Sequence, residues 1–112
     1  MPNVRMSRID AEIQKAVAKI INDKLEHPSV KGSLVTVLHV RTTPDLLQST
    51  LSISAYGGDS KAIVEALNAS KSFIRHELGK VMRLRTIPEL RFVQDTSFDY
   101  AQHIEDLFDS IK

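Results

Sequence analysis

The chain has 112 residues, of which 42% are hydrophobic and 26% charged, with a formal net charge of +1; this length predicts a single domain over residues 1–112 with one hydrophobic core. It contains no cysteine, which excludes a disulfide framework, a thiolate metal site and a cysteine nucleophile. It has neither an apolar run near the ~18 residues of a membrane-spanning helix nor an apolar signal segment at its N-terminus, so we expect a cytoplasmic protein without membrane contact.

The first half of the chain predicts a helix followed by two strands. Over residues 7–25, apolar residues recur at helical spacing opposite a charged stripe, with Ser7 as the N-cap and Pro28 ending the helix just after it. The β-branched residues at 34–41 predict a strand. Residues 50–56 alternate between apolar and polar, which predicts a second strand with one buried and one solvated face.

The second half of the chain predicts a long helix, a third strand and a closing helix. Residues 60–83 follow a helical pattern throughout, but Asn and Ser near the middle compete with helical hydrogen bonds. The apolar arc runs in phase from Ile63 to Val81, which one straight helix could also satisfy. Residues 90–93 alternate as a strand before a last amphipathic helix. The apolar stripe of that last helix comprises Ile104, Leu107, Phe108 and Ile111.

These elements predict an α+β fold in which helices cover one face of a three-stranded mixed sheet, in the order α-β-β-α-α-β-α. Periodicity also predicts which side chains are buried. The apolar arc of the long helix comprises Ile63, Ala66, Leu67, Ser70, Phe73, Ile74, Leu78 and Val81. The residues expected at the centre of the core are Ile13, Val17, Ile53, Leu67, Ile74, Leu78 and Phe92.

No pattern in the chain indicates catalysis or a metal site. The segment from Tyr56 to Asp59 contains two glycines but lacks the further Gly and Lys of a phosphate-binding loop, and no serine lies in a nucleophile elbow. None of the histidines has a partner at the i, i+4 spacing of a helical metal site. They are His27, His39, His76 and His103. We therefore expect a protein that is not an enzyme and binds neither metal nor cofactor.

The small net charge hides a strong asymmetry along the chain. Residues 71–91 carry six Lys or Arg and two Glu, a net charge of +4, whereas residues 92–112 have a net charge of −4. Cations one helical turn apart can meet successive phosphates of a nucleic acid, but the same pattern is also typical of a solvated basic face. The candidate RNA-binding residues of this segment are Lys71, Arg75, Lys80, Arg83, Arg85 and Arg91.

The stretch from Leu78 to Phe92, LGKVMRLRTIPELRF, closely resembles the LGKxxRLRxxPELxF signature of the bacterial ribosome-binding factor A family. Three further stretches resemble, in order, the first helix, the second strand and the closing motif of the same family. They are residues 8–15, 45–54 and 95–104. Together these matches span about residues 5–108, which is nearly the whole chain.

The resemblance implies a type II KH-like RNA-binding fold and a role in late maturation of the small ribosomal subunit, linked to growth in the cold. In that family the central helix kinks at a small A-x-G stretch, which aligns here with Ser70-Lys71-Ser72. Together with the helix-weak run, the resemblance predicts a break within residues 69–72, capped by Ser70 or Ser72, with Lys71 exposed beside it. We therefore predict a monomeric assembly factor that binds the free small ribosomal subunit and its rRNA and takes part in rRNA processing. Arg5, Arg8 and Arg41 are added to the six candidate RNA-binding residues.

One alternative remains open at this point. The chain could be a protein-interaction module whose acidic last helix docks a basic ribosomal protein or a GTPase. An assembly GTPase is also a candidate partner under the first interpretation. Under the alternative, charge reversal at Asp99, Glu105 and Asp106 would be the damaging change, rather than loss of the basic residues.

Overall fold

The computed structural model describes residues 4–84 and 86–95, and of residues 4–6 only the backbone. Within them the order of elements follows the prediction. The helices and strands are α1 (Val4–Asp23), β1 (Leu34–Thr42), β2 (Gln48–Tyr56), α2 (Ser60–Ala69), α3 (Lys71–Val81) and β3 (Glu89–Gln94). The predicted last helix, with its apolar stripe and its acidic residues, lies outside the described residues.

The three strands form a mixed sheet in the order β1-β2-β3. β1 and β2 are antiparallel, with a register shift between Val37 and His39, whereas β2 and β3 are parallel. Parallel neighbours need a long crossover connection, and α2 and α3 supply it. The central strand therefore aligns Leu51 with Val40 on one side and with Phe92 on the other.

All helices of the described residues lie on one face of the sheet, and the core fills the space between. α1 packs on β1, α2 packs on β2 and β3, and α3 lies beside α1. The seven residues predicted at the centre of the core are all buried, which confirms the periodicities. Along β2, Leu51 and Ile53 are buried while Ser52 and Ser54 are more exposed, so this strand has the predicted two-faced character.

Helix α1 also protects the outer edge of β1. The side chain of Asn22 donates to the carbonyl oxygen of Val35 at 2.9 Å and accepts from the Val35 N–H at 3.1 Å. Further along the same edge, Gln14 donates to the carbonyl oxygen of Val37 at 2.8 Å. An unpaired strand edge invites association with other chains, and these side chains occupy the groups that such an association would use.

Two features of the helices differ from the prediction. α1 begins at Val4, so Ser7 lies inside the helix and is not its N-cap. Phe73 and Val81 belong to the predicted apolar arc but are 40% and 60% exposed. Phe73 lies at the margin of that arc. Val81 is the last residue of α3 and lines a groove between α1 and α3 instead of the core.

Candidate nucleic-acid interface

The long helix is interrupted at Ser70, within the predicted range of 69–72. Ser70 has φ −100° and ψ 9°, and it both ends α2 and precedes α3. Its N–H still bonds the carbonyl oxygen of Ala66 at 3.0 Å, and its own carbonyl oxygen accepts from the Ile74 N–H at 3.1 Å. The interruption is therefore confined to one residue, and it leaves the first N–H groups of α3 without partners within α3.

The predicted capping of this break is wrong. The side chain of Ser70 makes no capping hydrogen bond, and Ser72 lies within the first turn of α3. Lys71, the first residue of α3, is exposed as predicted. The break is thus a backbone feature with a cation beside it, without a side-chain cap.

A groove of about 780 Å³ runs along α3, between that helix and the segment that leads into β3. Three of the predicted RNA-binding residues, Lys71, Arg75 and Lys80, line its α3 wall and are exposed. His76, Thr86 and the exposed Glu89 also line it. Three cations spaced along one wall match the spacing of successive phosphates in a linear polyanion.

Arg75 has a structural role in this groove in addition to its charge. Its guanidinium donates to the carbonyl oxygen of Ile87 from Nη2 at 2.7 Å and from Nε at 3.1 Å, and from Nε to that of Pro88 at 3.3 Å. These bonds fasten the far wall of the groove to α3. A guanidinium has five N–H donors, so Arg75 keeps donors and its full charge for a ligand.

The structure does not bring all the predicted residues together. Arg41 and Arg91 flank Thr50 in one row across the sheet. Because Arg91 alternates with the buried Leu90 and Phe92, this row lies on the face that the described helices leave uncovered. The candidate cations therefore divide between the α3 groove and the open sheet face.

The remaining predicted residues lie apart from the groove walls. Arg8 is exposed on α1, and Arg83 is exposed just after the end of α3. The side chain of Arg5 and the whole of Arg85 lie outside the described residues.

Lysines of α1 were missing from the predicted set. Lys15, Lys19 and Lys24 line a second groove of about 550 Å³, between α1 and the end of α3. Lys24 directly follows the end of α1, and Lys15 and Lys19 lie on the charged side of the first helix, which was visible in the sequence. Their relevance was not, because no local pattern shows that α1 lies beside α3. The cationic surface therefore extends from α3 onto α1.

Glu77 joins these two helices. Its carboxylate lies 3.4 Å from Lys24 Nζ and 3.4 Å from Lys80 Nζ, and its side chain is only 11% exposed. Burial raises the pKa of Glu77, but the hydrogen bonds and charges of the two lysines outweigh it, so the pKa is lowered from its usual value. Because Lys24 directly follows α1 and Lys80 is on α3, this single carboxylate ties the end of α1 to α3 through two cations of the surface.

Among residues 4–84 and 86–95, no group of three or more His, Asp or Glu side chains could hold a metal ion. Within the same residues, no helix is both long enough and apolar enough to cross a membrane. His39 lies 3.8 Å from the carboxylate of Asp95, and His76 lines the α3 groove.

Comparison with known protein families shows which family the chain belongs to. A family model described as Ribosome-binding factor A matches residues 5–108. The chain belongs to this family. Ribosome-binding factor A from Clostridium novyi (strain NT) is 36% identical to it over 114 residues, an alignment that covers 100% of this chain and 93% of that protein. The resemblance seen in the sequence is therefore confirmed.

Solved structures of ribosome-binding factor A agree with the fold. The crystal structure of the Thermus thermophilus protein has a TM-score of 0.72 and 25% identity, covering 80% of this chain and 93% of that one. A homology model of the Thermus thermophilus protein, fitted into a cryo-EM map of its 30S complex, has a TM-score of 0.65 and 25% identity, covering 78% of this chain and 91% of that one. The predicted α+β, KH-like architecture is confirmed by these similarities.

Proposed function

We propose that this chain binds the free small ribosomal subunit through its rRNA, with the α3 groove as the main contact. The observation that carries this proposal is the row of Lys71, Arg75 and Lys80 along one wall of an open groove that starts at the interruption of the helix. Membership of the ribosome-binding factor A family supports it. So does the similarity to a protein fitted into a 30S complex.

The groove suits the RNA backbone better than unpaired bases. Its walls carry three cations and two hydroxyls beside the carboxylate of Glu89, and none of the described residues that line it is Phe, Tyr or Trp. Recognition of unpaired bases in proteins relies largely on stacking against aromatic side chains, and among these lining residues only the ring of His76 could serve that purpose. Phosphate oxygens would be bound by the cations and by the N–H groups at the start of α3, where the helix dipole also favours negative charge.

We infer that the function is occupancy and not catalysis. Bound to rRNA, the protein holds one conformation during late maturation and rRNA processing and is released when the subunit no longer offers that conformation. A protein of this kind acts in the cytoplasm as a monomer, in cold growth above all, and an assembly GTPase is a candidate for its release.

Co-sedimentation with isolated small subunits, large subunits and assembled ribosomes tests this function. We expect binding to free small subunits, weakened by the double substitution Lys71→Gln and Lys80→Gln. Each lost phosphate contact should reduce the slope of log affinity against log salt by about 0.7 to 0.9, so the double variant should lose roughly 1.5.

The matched control is the double substitution Lys31→Gln and Lys61→Gln, which removes the same charge from exposed positions that do not line the groove. It should leave the salt slope unchanged. Equal losses in the two double variants would show that only net charge matters and would contradict a contact in the groove. Loss of binding on charge reversal at Asp99, Glu105 and Asp106, with the lysine variants intact, would favour the protein-interaction alternative.

A further inference from the structure

The groove between α1 and the end of α3 combines an apolar floor with a cationic rim. Its floor comprises Ala16, Ile20, Val81 and Met82. Val81 is 60% exposed although it belongs to the apolar side of its helix. Lys15, Lys19 and Lys24 are exposed on the rim, beside the single acidic residue Glu12 among the described lining residues. Apolar surface beside lysine side chains favours a ligand with an apolar stripe and acidic flanks.

The sequence of residues 96–112 has this complementary pattern. Its apolar residues follow the i, i+3, i+4, i+7 spacing of one helical stripe, on Ile104, Leu107, Phe108 and Ile111. The same segment contains four acidic residues and one lysine. Its charge is therefore opposite to that of the groove rim, and its apolar stripe matches the floor.

We propose that residues 99–111 bind the groove between α1 and α3 as an amphipathic helix of the same chain. The apolar stripe lies on Val81 and its neighbours, and the acidic side chains face Lys15 and Lys19. This contact is independent of RNA binding and gives the acidic segment an intramolecular role.

Two physical arguments favour the chain's own segment as the occupant. Asp95, the last described residue, lies four residues before Asp99, and four extended residues reach about 13 Å. Residues 99–111 as a helix add about 20 Å, so linker and helix together span roughly the length of α1, about 30 Å for its 20 residues. A tethered segment is also present at an effective concentration on the order of mM, so modest complementarity is enough to populate the contact.

Disulfide formation between introduced cysteines tests the proposal in the full chain, because the protein contains no cysteine of its own. Ala16→Cys places a thiol in the groove and Ser110→Cys places one beside the apolar stripe. Neither substitution changes a charge. We expect the intramolecular disulfide to form at least ten times faster in this pair than in the control pair, Ala18→Cys with Ser110→Cys.

The control is closely matched. Ala18 is on the same helix and half-buried like Ala16, but it lines the side of α1 that faces Val35 of β1. Adding Val81→Asp to the groove pair should reduce the rate to that of the control, and adding Leu107→Asp should do the same from the other side. Thermal unfolding of each variant verifies that it is folded.

Three outcomes would overturn the proposal. Equal rates for the Ala16 and Ala18 pairs would mean that the segment does not select the groove. A faster reaction of Ser110→Cys with Ser54→Cys would place the segment on the open face of the sheet. A disulfide that forms only between two chains would make a second copy the occupant.

Discussion

The side chain of Asn68 forms two hydrogen bonds with the backbone of Phe92, donating to its carbonyl oxygen at 2.8 Å and accepting from its N–H at 2.9 Å. Asn68 thereby replaces a neighbouring strand at the outer edge of β3, as Asn22 does at the edge of β1. It lies two residues before the interruption at Ser70. The Asn that weakens the helix in the sequence is therefore the residue that ties the end of α2 to the sheet.

Replacement of Asn68 should be costly. Asn68→Ala removes both bonds and leaves the N–H and C=O of Phe92 without this partner, and a half-buried group left unsatisfied costs about 1–3 kcal/mol. We expect the free energy of unfolding to fall by about 2 kcal/mol, measured by urea denaturation. Glu65→Ala, at an exposed position of the same helix, should change it by less than about 0.5 kcal/mol. A similar effect of the two substitutions would show that the Asn68 bonds contribute nothing.

The Glu77 contacts predict a pH dependence of stability. Lys24 and Lys80 lower the pKa of Glu77 against the opposing effect of burial. The ionised carboxylate therefore stabilises the fold above the ordinary Glu pKa of about 4.3. This stabilisation is lost as the pH falls through the pKa of Glu77 in the folded protein. Glu77→Gln should therefore reduce the free energy of unfolding at neutral pH. The difference from the unmodified protein should shrink below about pH 4.

Urea denaturation of both proteins between pH 3 and 8 measures this difference. Glu65→Gln, at an exposed position, serves as the control. Its free energy of unfolding should differ from that of the unmodified protein by the same amount at every pH. A Glu77→Gln difference that stays constant down to pH 3 would contradict the ion pairs as its cause.

The two helix starts of the crossover should respond differently to loss of their cap residues. Asp59 accepts a hydrogen bond from the Lys61 N–H at 3.0 Å, and removal of such a cap costs about 1 kcal/mol. Ser70 makes no cap bond with its side chain, so Ser70→Ala should change the free energy of unfolding by less than about 0.5 kcal/mol. Equal costs for Asp59→Ala and Ser70→Ala, in thermal or urea unfolding, would mean that Ser70 caps α3 in solution.

Arg75 allows charge and geometry to be separated. Arg75→Lys keeps the positive charge but loses the paired donors that hold the carbonyl oxygens of Ile87 and Pro88. We expect it to lower the free energy of unfolding by about 1 kcal/mol while leaving the salt slope of RNA binding unchanged. Arg75→Gln should lower both quantities. A full loss of RNA binding in Arg75→Lys, at a temperature where the variant is folded, would instead make the guanidinium itself the required contact.

Local patterns in the sequence determined the described elements and the buried residues at the centre of the core, because burial imposes a period of two on strands and of 3.6 on helices. The break near Ser70 was indicated by residues that weaken a helix, together with the family resemblance. The stretch from Leu78 to Phe92 also indicated the family. Each of these properties depends on residues close together in the chain.

Only the tertiary structure decided which elements are neighbours. Periodicity shows which side of α1 faces the core but not that its lysines lie beside α3. A list of cations does not show that Arg41 and Arg91 flank Thr50 in one row on the open face of the sheet. Arg75 was predicted for its charge, yet its bonds to Ile87 depend on a chain segment twelve residues away. These relationships arise from packing between elements. The pattern of a single sequence shows which face of each element is buried, but not which other element covers that face.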